Sequence, residues 1–266
     1  MYSATAFQLE RNWFAVCDSS IYDRRDTGPL QDSRVAYLFD PDSVRSSMED
    51  VGVCLMNGVL EERQLKQLRD AFPASVRDVR NLLDMKVIRE LACSEKVRSL
   101  AAAVLGESCF AIRGIFFDNP AEANWKTRFH QGLTIAVKYK KDAPGFSDWT
   151  VKGGVHHVQP PMEILRRIVS VRLHLDDSRS DNAPLKIFRG THRMGRLSPQ
   201  QIEEIIRTET PVECRVPAGA ALMMSPLLVH GLAASMNSTH RRVIHLDFAA
   251  GDLPHGLEWN QRVCSA

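Results

Sequence analysis

Two of the nine histidines in this 266-residue chain stand where they could hold a metal ion. His130 lies in the run Trp125-Lys126-Thr127-Arg128-Phe129-His130-Gln131-Gly132-Leu133-Thr134, which reads as the start of a strand. His230 closes the apolar stretch 220–229, just after the turn Pro217-Ala218-Gly219. Arg241 then opens a further strand, Arg241-Arg242-Val243-Ile244-His245-Leu246-Asp247-Phe248. A histidine on a strand is ordinarily a structural residue, so it is this context that singles out the pair. Two neutral imidazoles suit iron(II). A fixed guanidinium suits the far carboxylate of a dicarboxylate cosubstrate, through a two-pronged hydrogen bond.

Strand alternation places further polar residues on common faces. Arg241, Val243 and His245 share one side, Arg172 and His174 another, and Arg128 points the same way as His130. Each arginine taken alone is more often solvated or salt-bridged, but together they suit an anionic substrate such as a phosphate monoester. His156 and His157 read as part of a loop able to cover the site. Phe146 and Trp149 beside them either stack a flat ring or pack that loop. Asp176-Asp177 ends a strand and reads as a loop cap. The chain has no phosphate-cradling glycine loop and no G-x-S-x-G elbow.

The elements that must hold these residues fall into two textures. Residues 1–47 read as a polar extension wrapped on the core, partly ordered by Trp13, Phe14, Tyr37 and Phe39. A strand at 51–56 and helices over 61–72 and 94–105 follow, the last stopped by Gly106. From residue 109 onward short β-rich runs dominate: 109–117, 133–137, 168–175, 185–188, 212–216, 220–224 and 242–248. One helix interrupts them, with Ser198 as N-cap and Pro199 in its first turn. This order predicts an α+β protein with an antiparallel barrel or sandwich at 109–250, buttressed by the N-terminal helices, in one domain over 1–266.

Composition narrows the class. Hydrophobic residues at 44% and charged residues at 25% are ordinary for a globular chain. A formal charge of +2, from 34 basic and 32 acidic residues, argues against a nucleic-acid polymer or a membrane surface as partner. Neither a signal peptide nor a long apolar span is expected, and the default location is the cytoplasm. Six cysteines without a C-x-x-C pair predict neither a zinc knuckle nor a disulfide framework.

The stretch from His130 to Phe248 resembles the phytanoyl-CoA dioxygenase-like family of iron(II)- and 2-oxoglutarate-dependent oxygenases. The resemblance is carried by Asn124-Trp125-Lys126, His130-Gln131, Gly154-Val155-His156-His157-Val158-Gln159-Pro160-Pro161, Val171-Arg172-Leu173-His174-Leu175-Asp176-Asp177, Gly190-Thr191-His192-Arg193, His230 and Arg241. Residues 51–72 resemble the family's opening as well. The resemblance implies a double-stranded β-helix of jelly-roll or cupin-like type. It also implies His130 and His230 as iron ligands and Arg241 as the 2-oxoglutarate anchor, with Thr134 and Gln131 beside the cosubstrate and O2 as co-reactant.

The sequence departs from the family at one telling position. The family's third iron ligand is the carboxylate of a His-x-Asp pattern, and here that position is Gly132. A His-x-Gly tripeptide is common by chance; its weight comes from standing there. Without the carboxylate the metal keeps an extra open site and more uncompensated charge, which a chloride could fill in the space Gly132 leaves. This arrangement resembles the radical halogenases of the same class, of the kind that act on a purine deoxynucleotide such as 2′-deoxyadenosine monophosphate in natural-product biosynthesis. The family's Pro-Gly-Ser-His is Arg189-Gly190-Thr191-His192 here, which adds a cation. Arg128, His157, Arg172, His174 and Arg189 are therefore the candidate contacts to a small anionic substrate. A hydroxylase and a non-catalytic binding homologue are the alternatives.

Overall fold

A computed structural model describes residues 39–73, 76, 78–118, 128–232 and 240–264, with the backbone of residues 16–17. Trp13, Phe14, Tyr37 and the motif Asn124-Trp125-Lys126 lie outside these residues. In chain order the elements are β1 (Val16–Cys17), α1 (Pro41–Asp50), β2 (Val53–Met56), α2 (Glu62–Ala71), α3 (Lys86–Cys93), α4 (Glu95–Leu105) and β3 (Phe110–Phe117). Then come β4 (Ile135–Val137), β5 (Ser147–Lys152), β6 (Val155–Gln159), α5 (Met162–Leu165), β7 (Ile168–His174) and β8 (Leu185–Phe188). The chain continues with α6 (Pro199–Thr208), β9 (Val212–Cys214), β10 (Ala221–Met224), β11 (Val229–Leu232) and β12 (Val243–Ala249).

The helices begin where local chemistry lets them. In α6 the Ser198 hydroxyl accepts from Gln201 N while Gln201 caps Ser198 N in return, with Pro199 in the first turn. Gly106, at φ +84°, ends α4 in a conformation that a side chain would disfavour. Helix α1 replaces what reads in sequence as the end of an irregular extension. The Asp40 carboxylate accepts from Asp42 N and Ser43 N at 3.2 Å each, and Pro41 follows it.

The strands form a six-stranded sheet ordered β1-β2-β10-β7-β12-β3 and two three-stranded sheets, β11-β8-β9 and β4-β6-β5. The fold is a double-stranded β-helix, and β2 brings a strand from well upstream of residue 109 into it. Helices α1 to α4 cover the outer face of the large sheet, where Leu65, Leu68 and Leu100 pack with Val169, Val171 and Leu246. Each such side chain, fully buried, contributes about 1.5–3 kcal/mol. On the inner face Val53, Leu55, Leu222 and Met224 meet Leu185 and Ile187 of the β11-β8-β9 sheet. Phe110, Ile112, Ile135 and Val137 build a second inner cluster with Trp259. The polar residues of the sheet lie between these apolar clusters.

Three expectations are corrected. Residues 155–159 are strand β6, paired with β4 and β5, rather than a covering loop. The 133–137 strand is regular only over β4, the segment before it being extended without strand pairing beyond residue 130. Cys93, at the end of α3, forms a disulfide with Cys264 across 171 residues, which no sequence spacing announces. No described helix is long and apolar enough to cross a membrane.

Candidate metal centre

His130 and His230 are cross-strand partners. The His130 N–H donates to His230 O at 2.9 Å and the His230 N–H to His130 O at 3.0 Å, so one isolated bridge joins β11 to the segment that leads into β4. Their rings stand 4.5 Å apart between centroids. Each Nδ1 lies 2.8 Å from the carbonyl two residues back, Arg128 O for His130 and Leu228 O for His230. A carbonyl only accepts, so both Nδ1 atoms carry the proton and both Nε2 lone pairs are left for a metal. Burial, reinforced by His130, pushes the His230 pKa down to about 3, so its ring is neutral, as a metal ligand must be. Among the described residues no group of three His, Cys, Asp or Glu side chains could hold a metal.

Gly132 follows on the same strand side as His130. Its N–H donates to Pro226 O at 2.7 Å. A Cβ there would meet that carbonyl oxygen at 3.3 Å and Pro226 Cβ at 3.6 Å, so the space is bounded by Pro226 rather than open. Gly132 and Thr134 line a small recess with Arg113, Pro226 and Asp247. Gln131 faces the opposite way and is buried. Its Nε2 donates to Gly195 O and Leu227 O at 2.8 and 2.6 Å, and its Oε1 accepts from Leu197 N at 2.8 Å. These bonds tether the segment that carries His130 to Gly195, Leu197 and Leu227.

The inner face of the large sheet carries a connected polar array. Arg172 stands opposite His245 across the β7–β12 ladder, and Ser170 opposite Asp247. Asp247 accepts from Arg113 Nε and Nη2 at 2.6 Å and from the Ser170 hydroxyl at 2.6 Å. Burial alone would raise the Asp247 pKa, but Arg113 and His245 more than offset it and hold the carboxyl well below its ordinary range. His245 Nε2 therefore donates to ionised Asp247 (2.9 Å), and its Nδ1 accepts from Arg172 Nη1 (3.2 Å). Arg113, Ser170 and Asp247 escaped the sequence reading, although polar residues at alternate positions of otherwise apolar strands were a legible sign.

Arg241 and His174 are not absorbed by this network. Arg241 is buried with Nε and Nη1 unpartnered, Arg172 Nε is likewise unpartnered, and neither ring nitrogen of His174 has a partner. Burial lowers the Arg241 pKa to about 9 and the Arg172 pKa to about 10, and Arg172 adds to the shift of Arg241. Burial, with both arginines nearby, drives the His174 pKa far down. Buried guanidinium N–H groups without acceptors are costly. A buried anion of the kind a dicarboxylate supplies fits this vacancy of acceptors. The structure brings Arg172, His174 and Arg241 together, whereas strand alternation puts only Arg172 with His174 on a common face. Arg128 and Arg189 are exposed and lie at the surface, and His157 is buried on β6 with Nδ1 on Val155 O at 3.1 Å. Phe146 and Trp149 pack partly buried against the second inner cluster.

The sequence profile of the phytanoyl-CoA dioxygenase (PhyH) family matches residues 74–243, more than half of the chain. The chain belongs to this family. No curated protein matches it by sequence. Similar solved structures include AviO1 from Streptomyces viridochromogenes Tue57, with TM-score 0.59, 17% identity, and coverage of 81% of this chain and 97% of that one. HygX from Streptomyces hygroscopicus, solved with nickel and 2-oxoglutarate bound, gives 0.57, 14%, 76% and 83%. EctD from S. alaskensis with bound Fe gives 0.56, 15%, 77% and 75%. At these identities the likeness is one of fold. With the family match it makes this PhyH-type protein an iron- and 2-oxoglutarate-dependent oxygenase.

Proposed function

We propose that this PhyH-type oxygenase is a radical halogenase, chlorinating an unactivated carbon of a small anionic metabolite, with a purine deoxynucleotide as the leading substrate. The observation that carries the reading is Gly132. It stands where the family places its ligand carboxylate, and no described group of three ligand-type side chains replaces it. In this reading His130 and His230 hold iron(II) through Nε2, and chloride takes the coordination site that the missing carboxylate leaves. Arg241 holds the distal carboxylate of 2-oxoglutarate, with Arg172 adding positive potential. Bound iron supplies the oxidation: O2, 2-oxoglutarate, chloride, a proton and a substrate C–H become succinate, carbon dioxide, water and a C–Cl bond. The neutral imidazoles and the buried cations keep the net charge of the chamber positive, which favours binding anions.

The test is an anaerobic titration of iron(II)-loaded protein with 2-oxoglutarate, with and without chloride, following the visible metal-to-ligand charge-transfer band. A band that appears with 2-oxoglutarate and shifts on adding chloride supports the halogenase. A band indifferent to chloride favours a hydroxylase, and no band at all favours a binding homologue.

A further inference from the structure

A second polar recess lies beyond Arg113, and nothing in the reading above uses it. Its walls include Arg80, Asn81, Arg113, Lys152, His157 and Asn260. It shares Ile112, Arg113 and Ala136 with the recess beside Gly132 and Thr134, so Arg113 forms a wall of both. We propose that this recess is an oxyanion subsite, built for a phosphate-type group on the substrate. The proposal rests on the reading of the protein as an enzyme of a small anionic metabolite, and it names where that charge is held.

Arg80 and Lys152 converge by construction. Strands β5 and β6 are joined by Lys152-Gly153-Gly154-Val155, with both glycines at positive φ (+57° and +79°). Such a turn needs residues free of Cβ strain, and it brings the hairpin end back sharply. A Cβ on Gly153 would lie 3.6 Å from Arg80 Cδ, so Arg80 packs along this turn next to Lys152. Asn260 is fixed from the other side by its N–H on Ala136 O at 3.1 Å, in a tail tied down by the Cys93–Cys264 disulfide.

The charges do not cancel. Lys152 makes no hydrogen bond or ion pair among the described residues. Of the acids nearby, Asp247 is engaged by Arg113, Ser170 and His245, and Asp84 accepts from Gln261 at 2.7 Å. Asp78 feels Arg80, while burial raises its pKa. The Lys152 pKa is lowered by burial first and then by Arg113 and Arg80. His157 is held neutral by burial, with the same three cations adding to the shift. Arg80 and Lys152 converge with several amide donors beside the Arg113–Asp247 pair, and Lys152 has no counter-charge among the described residues, which makes a site for a compact oxyanion.

The experiment measures inorganic phosphate binding to the metal-free protein by 31P NMR at fixed ionic strength, with acetate as a comparison. Arg80→Met and Lys152→Met should each weaken phosphate binding about tenfold or more, the scale of one charge-assisted contact. Lys66→Met, at an exposed cation on α2, should leave it unchanged, and acetate should compete poorly. All variants should keep the wild-type circular dichroism and melting temperature. Phosphate binding that is absent at about 10 mM, or equal in wild type and the Arg80 and Lys152 variants, overturns the subsite. The charge-transfer titration is run on the same proteins. Loss of the band in wild type with variant-sensitive phosphate binding would sink the halogenase reading and leave the subsite standing; the reverse pattern would do the opposite.

Discussion

Asp118 hydrogen-bonds the main chain of Arg241 and not its guanidinium. The Asp118 Oδ1 accepts the Arg241 backbone N–H at 3.2 Å, while Oδ2 lies 2.6 Å from His240 Nδ1. The one carboxylate at the base of the Arg241 side chain therefore fixes the backbone and leaves the guanidinium Nε and Nη1 without acceptors. An arginine held in this way is poised for an incoming carboxylate.

Arg241→Met should separate binding from stability. Losing a buried, doubly hydrogen-bonded charge pair costs about 2–4 kcal/mol, a 2-oxoglutarate affinity roughly 30- to 900-fold weaker. The cosubstrate-free variant should melt no lower than wild type, because the substitution removes buried N–H groups that lack partners. Unchanged 2-oxoglutarate affinity by calorimetry would remove Arg241 from the cosubstrate site.

Gly132→Asp tests the halide position. Pro226 O must shift by a few tenths of an ångström to admit the new Cβ, at a cost of about 1 kcal/mol. The variant should hold iron(II) more tightly and lose the chloride response of the charge-transfer band. Persistent chlorination by this variant would place the halide elsewhere.

Gln131→Leu should act through the fold. It strands Gly195 O, Leu227 O and Leu197 N, three backbone groups that the amide satisfies. The loss is about 2–4 kcal/mol, a melting temperature lower by roughly 5–10 °C. A wild-type melting curve with weakened 2-oxoglutarate binding would instead mark Gln131 as a cosubstrate contact.

Stability of the metal-free protein should fall as pH drops below about 6.5, the ordinary histidine range. Burial lowers the pKa values of His174, His230 and His245 in the folded state. In this window the unfolded chain binds more protons than the folded one, so the slope of stability against pH is positive. Melting temperatures measured from pH 7.5 to 5 should show the decline, and His174→Leu should flatten it. A flat wild-type profile would contradict the burial of neutral imidazoles.

Much of the architecture is readable locally. Ser198-Pro199 opens α6 and Gly106 closes α4, because caps and terminators act within one turn of chain. Asp40-Pro41, which opens α1, and the Gly153-Gly154 turn between β5 and β6 were signals of the same local kind and could have been read. Period-two polar residues on β7 and β12 likewise put Arg172 with His174, and His245 with Arg241, on common sides of their strands.

By itself, then, the sequence determined the fold class, and it singled out as candidates the two histidines with the downstream arginine and the glycine at the family's carboxylate position. These follow from residue type, from periodicity and from a family pattern along the chain. Only the tertiary structure decided that His130 and His230 exchange backbone hydrogen bonds, and that Gln131 tethers the segment. It also decided that Asp247 neutralises Arg113 while Arg241 stays unpaired, and that Cys93 meets Cys264. The physical reason is that these pairings depend on sheet register and layer stacking. Both are set by burial and backbone pairing between segments far apart in sequence, and neither leaves a mark within any one segment.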